Sequence, residues 1–146
     1  MPAAISVRLS GGRAALRELP VILVVEDDQA IQSIVEDTLS EGGFEVAIAA
    51  SGEEAATLLS ANKGQYQALV TDIGLLGRFD GWEVARRARE TDPDYPVVYM
   101  SGKHVEDWAS KGVPNSIMLA KPFAPAQLVT AVSQLLNAGP PTAPTK

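Results

Sequence analysis

The stretch Tyr66-Gln-Ala-Leu-Val-Thr-Asp72 constrains this chain more than any other. A short apolar run, Ala68-Leu69-Val70, leads straight to a single carboxylate, and the chain then breaks into Gly74, Gly77 and Gly81. Such a run reads as a buried strand, and an acid followed by a glycine-rich loop sits at the rim of a sheet. Three further apolar runs end in comparable chemistry. Val21-Ile-Leu-Val-Val25 leads into Glu26-Asp27-Asp28, Pro96-Val-Val-Tyr-Met100 into Ser101-Gly102, and Ile117-Met-Leu-Ala120 into Lys121-Pro122. Acids, a hydroxyl and an amine therefore gather at carboxyl ends of strands, where an open α/β sheet places its ligands.

Between these runs the spacing turns helical. Val21 to Val25 is apolar throughout, as expected in the middle of a parallel sheet. Asp28 caps a predicted helix with Ile31, Ile34, Val35 and Leu39 inward, and Gly42-Gly43 ends it. Phe44 to Ala50 reads as a second strand. Ser51-Gly-Glu-Glu54 and Asp80-Gly-Trp-Glu83 are capping-box patterns, opening helices with Ala55, Leu58 and Leu59, and with Val84, Ala85 and Ala88, inward. His104 to Lys111 is a short, weakly patterned helix ended by Gly112. Pro125 starts a last helix with Leu128, Val129, Val132, Leu135 and Leu136 inward. Five strands alternating with five helices give an α/β fold with right-handed crossovers, and alternation alone leaves the strand order open.

The chain has 146 residues, enough for one domain around a single core. The reading divides it into a loose N-terminal arm over 1–19, a globular domain over 20–138 and a disordered tail over 139–146, too short for an output domain. A net charge of -6 without a basic stripe argues against nucleic acid as a partner. Without cysteine there is neither a disulfide framework nor a thiolate zinc site. No apolar run approaches the roughly 20 residues of a membrane span, and no h-region marks a signal peptide. A soluble cytoplasmic protein, with no membrane partner, is the expectation.

Glu26, Asp27 and Asp72 converge if the first and third strands are neighbours, and clustered carboxylates resist joint ionisation. A divalent cation removes that cost, and oxygen-only ligands select Mg2+ or Mn2+ over zinc. The plain alternative makes Asp27 and Asp28 helix caps and Glu26 a solvated loop acid. Asp72 reads as the acceptor of a phosphoryl group. Lys121 is either a solvated strand end or the cation that faces the acids. Pro122 is a candidate cis-proline. Ser101 either caps the following helix or donates to a phosphoryl oxygen. The lone histidine, His104, reads as a surface residue and not as a phosphocarrier.

Taken together, Val24-Val-Glu-Asp27, Val70-Thr-Asp72, Asp80-Gly81, Met100-Ser-Gly102 and Ala120-Lys-Pro-Phe123 resemble, in order, the receiver domains of two-component response regulators. The resemblance covers about Val21 to Leu136. It implies a flavodoxin-like (βα)5 three-layer sandwich, a parallel five-stranded sheet of order 2-1-3-4-5, the order the general rule for doubly wound folds assigns to this family. It also implies roles. Glu26 and Asp27 hold Mg2+ with Asp72 and the Gly74 backbone carbonyl, Asp72 is the phosphoacceptor, and Ser101 and Lys121 bind the phosphoryl group. The loop after the acceptor departs from the family, having no proline and one extra residue before Asp80-Gly81. Met118 stands where the family carries an aromatic switch three residues before the lysine, so a serine–aromatic rotamer coupling cannot operate in that form.

The function implied is a stand-alone, phosphorylatable receiver that takes phosphate from a histidine kinase or histidine phosphotransfer protein and signals by docking to a downstream protein. It is no enzyme beyond its own phosphorylation and dephosphorylation. The alternatives are a phosphatase of the haloacid dehalogenase type, which wants an acid where Gly74 stands, and a phosphate-independent pseudo-receiver. The expected signalling face joins Lys103, Trp108 and Met118. Trp108 is either an exposed anchor there or packs inward with Val105.

Overall fold

The computed structural model describes residues 19–138. The expected arm, apart from Leu19, and the expected tail lie outside the described residues. In chain order the elements are β1 (Val21–Val25), α1 (Gln29–Glu41), β2 (Glu45–Ala49), α2 (Gly52–Ala61), β3 (Ala68–Asp72) and α3 (Gly81–Thr91). Then follow β4 (Val97–Ser101), a single 3-10 turn (Val105–Asp107) running into α4 (Trp108–Lys111), β5 (Ile117–Ala120) and α5 (Pro125–Ala138). The strands form one parallel sheet of order β2-β1-β3-β4-β5, the order implied by the motifs.

Alternate strand residues feed two cores. Leu23, Val25, Leu69, Val97 and Tyr99 pack under Ala55, Leu59, Trp82, Val84 and Ala88 of α2 and α3. Ile22, Val24, Val70, Val98 and Met100 pack under Val35, Leu39, Leu128 and Val132 of α1 and α5. β1 is apolar throughout, and β3 and β4 are apolar up to Val70 and Met100, because both faces are covered.

The caps stand where their residue types placed them. Asp28 accepts from the N–H groups of Ala30 and Ile31, Ser51 Oγ from Glu54, and Asp80 Oδ1 from Glu83. Three expectations need correction. Ile34 is 61% exposed, because α1 turns its Val35–Leu39 stripe to the sheet and leaves Ile34 off that stripe. The predicted helix over His104 to Lys111 divides into a 3-10 turn and four helical residues, none of them buried, as befits a segment without an inner stripe. The second strand is shorter by one residue at each end. Among the described residues no helix is long and apolar enough to cross a membrane.

Candidate functional site

Parallel pairing of β1 with β3 sets Val25 beside Thr71, so Glu26 and Asp27 leave one strand where Asp72 ends the other. Ligand oxygens of Glu26, Asp27 and Asp72 lie within 4.8 Å of one another. From β5, two strands away, Lys121 reaches back over the sheet end. Its Nζ donates to Asp72 Oδ1 at 3.0 Å and to Glu26 Oε1 at 3.3 Å. The remaining Glu26 oxygen accepts the Asp28 N–H at 3.1 Å. Gln32 Nε2, one turn into α1, donates to the Glu26 carbonyl at 2.6 Å.

Electrostatics follow from this crowding. Burial and then the Asp72 charge push the Glu26 carboxyl above its usual range, although the Asp28 N–H and Lys121 oppose them. Burial alone would lower the Lys121 ammonium, but hydrogen bonds and charge from Asp72 and Glu26 outweigh it and leave the amine raised. One cation thus faces two carboxylates that water scarcely reaches, and Asp27 adds a third charge alongside. The donor set is all oxygen and its charge is only partly neutralised, so it fits a hard divalent cation.

The close approach of α3 also shapes the site. A Cβ on Gly81 would overlap the Asp72 carbonyl and come within 2.8 Å of Ile73 Cα, so only glycine lets the helix start there. Gly81 N–H donates to Ile73 O at 3.0 Å, tying the helix to the strand end. Gly74, two residues past Asp72, is exposed at the start of the loop. Leu75 turns into the core, and the Leu76 N–H donates to Asp27 Oδ2 at 3.0 Å.

Ser101 ends β4, one strand from Asp72. Its buried hydroxyl accepts from the N–H groups of Lys103 (3.1 Å) and His104 (2.7 Å), closing a turn ahead of the 3-10 segment. That segment's own N-cap is His104, without a side-chain cap bond, so Ser101 is not the helix cap the sequence allowed. The Lys121–Pro122 peptide is cis. Met118 lies in register with Tyr99 and packs at the margin of the α2–α3 core. Trp108 is 38% exposed, and its Nε1 donates to Ser116 Oγ at 2.9 Å instead of packing inward with Val105, itself 39% exposed. The structure therefore gathers Glu26, Asp27, Asp72 and Lys121 in one cluster, with Ser101 at the neighbouring strand end, whereas Lys103, Trp108 and Met118 stand outside that cluster. Sequence reasoning passed over Gln32 and the Leu76 N–H. A polar residue one helical turn after a capping Asp was the only signal for the first, and a backbone donor leaves none.

A family model described as the response regulator receiver domain matches residues 22–133. Response regulator MprA of Mycobacterium sp. (strain KMS) is 34% identical over 122 residues, 82% of this chain and 52% of that protein. The chain thus spans about half the length of the curated relatives of that kind. A response regulator receiver protein from Sinorhizobium medicae WSM419, solved by crystallography, is 48% identical with a TM-score of 0.80, covering 83% of this chain and 97% of that one. The receiver domain of sensor histidine kinase PA1611 from Pseudomonas aeruginosa PAO1, solved with a magnesium ion in its active site cleft, is 26% identical with a TM-score of 0.69, covering 82% and 98%. Sheet order, clustered acids, the lysine at the end of β5 and these matches agree: this chain belongs to the response regulator receiver family of two-component signalling.

Proposed function

We propose that Asp72 accepts a phosphoryl group from a phosphohistidine on a histidine kinase or histidine phosphotransfer protein, with Mg2+ held by Glu26, Asp27, Asp72 and the Gly74 carbonyl. One observation carries the reading: three carboxylates converge within 4.8 Å, and Lys121 grips one of them, Asp72, at 3.0 Å. An Asp72 oxygen attacks phosphorus, the O–P bond forms, and the N–P bond breaks with its electron pair returning to the imidazole, which takes a proton from water. Bound Mg2+ supplies charge neutralisation for the phosphoryl oxygens. Lys121 adds a second positive charge to that oxygen set, and its two carboxylate contacts hold the amine aimed at the acceptor. Ser101 offers its hydroxyl hydrogen to a phosphoryl oxygen while its lone pairs keep the Lys103 and His104 N–H groups.

That double use of Ser101 supports a signalling face over Lys103, Trp108 and Met118, because moving the hydroxyl releases the Lys103 and His104 N–H groups that lead into a segment with no buried residue. The relation to PA1611, a sensor histidine kinase with its own magnesium-bearing receiver, supports the metal and the donor class. The central test is intact mass after incubation with acetyl phosphate and Mg2+. The wild-type chain gains one phosphoryl group and Asp72→Asn gains none; labelling that persists in Asp72→Asn places the acceptor elsewhere.

A further inference from the structure

The loop from Gly74 to Asp80 holds two glycines and no proline, so its own chemistry does little to fix its path. It is held from outside, at two carboxylates. Leu76 N–H donates to Asp27 Oδ2 at 3.0 Å, and Arg78 N–H donates to Glu53 Oε2 at 2.8 Å. Between them Gly77 stands at φ +97°, and a Cβ there would come within 2.9 Å of both Glu53 carboxylate oxygens. Glu53 Oε1 is buried without a hydrogen-bond partner among the described residues, pressed against this glycine. The Arg78 N–H holds the Glu53 carboxyl below its usual range.

Glu53 is itself firmly placed. It lies in the first turn of α2, next to Gly52, whose missing side chain lets the helix start abut the Phe79 carbonyl. The Arg87 guanidinium lies over the Phe79 ring at 4.3 Å, a second hold on that end of the loop.

We infer that Glu53 is a positioning residue for the metal site, clasping Gly77 and Arg78 so that the loop keeps its hydrogen bond to Asp27 and presents Gly74. The inference rests on the reading of Glu26, Asp27 and Asp72 as cation ligands. Asp27 gives one oxygen to Leu76 and so has its carboxylate oriented before a cation arrives. A loop freed at Gly77 and Arg78 surrenders that orientation, and preorganisation is lost as affinity.

The experiment is Mg2+ titration, followed by Trp82 fluorescence and calorimetry, on wild type, Glu53→Ala, Glu53→Gln and Gly77→Ala, with hydrogen exchange over residues 75–78. Glu53→Ala weakens Mg2+ binding about three- to tenfold, the scale of one lost hydrogen bond, and speeds exchange at Leu76 and Arg78. Glu53→Gln keeps an acceptor for the Arg78 N–H and stays within about twofold of wild type. Gly77→Ala drives a Cβ at the clasp from the opposite side and reproduces the loss, which keeps the test decisive should Glu53→Ala fail to fold. Equal losses in the alanine and glutamine variants would reduce Glu53 to a nearby negative charge and overturn the clasp. Unchanged affinity in Glu53→Ala or in Gly77→Ala overturns it as well. Wild-type binding that Asp27→Ala abolishes keeps the ligand assignment standing whatever Glu53 does; wild type with no Mg2+ response overturns both.

Discussion

Lys121 is the residue on which the charge balance at the end of the sheet turns. Its ammonium touches Asp72 and Glu26 together, and its side chain is 23% exposed against 2% for Glu26. Removing it leaves two carboxylates facing each other with little water, so Lys121→Ala should destabilise the metal-free chain by about 1–3 kcal/mol in chemical denaturation. Saturating Mg2+ should recover much of that loss, since a divalent cation neutralises the same oxygens. A deficit that Mg2+ leaves untouched would mean Lys121 acts through packing of its stem. Asp27 and Asp28 separate in the same way at single-residue resolution. Asp28 is occupied by two α1 N–H groups, whereas Asp27 lies among the clustered oxygens. Asp27→Ala should therefore abolish Mg2+ binding, and Asp28→Ala should cost about 1 kcal/mol of stability with little change in affinity.

At the scale of elements, α3 and the segment after β4 show opposite designs. In α3, Glu83 sits in the first turn and binds Arg86 at 2.8 Å and Arg87 at 2.9 Å, and these pairs hold its carboxyl below the ordinary 4.5. A depressed carboxylate contributes stability that is present above 4.5 and is lost as pH falls through its folded value. These pairs are largely solvated, so Glu83→Gln should lower stability by less than about 1 kcal/mol at neutral pH, a difference that vanishes in acid. The segment Lys103 to Lys111 has only the longer, solvated His104–Asp107 contact at 3.6 Å. Its start hangs on Ser101 Oγ and its far end on the Trp108–Ser116 hydrogen bond. Hydrogen exchange with and without a phosphoryl mimic should change over residues 103–118; a response confined to another helix would place the signalling face there instead.

Across the whole molecule, stability and function meet at one end of a sheet whose two faces are each sealed by a pair of helices. A ligand that binds only the folded chain adds stability by mass action, about 2.7 kcal/mol at a hundredfold excess over its Kd. The melting temperature should rise with Mg2+ in wild type and stay flat in Asp27→Ala. What the sequence by itself determined is local: short apolar runs that must be strands, caps at Asp28, Ser51 and Asp80, and acids, a hydroxyl and an amine at strand ends. Those follow from periodicity and from single-residue chemistry, which need only near neighbours. The order of strands came from the ordered motifs, since alternation alone permits several. Only the tertiary structure decided that Ile34 faces outward, that Trp108 bonds Ser116, and that the loop after Asp72 is held by Asp27 and Glu53. The last two contacts join residues 49 and 25 positions apart through backbone N–H groups, which every residue but proline carries and no sequence pattern marks.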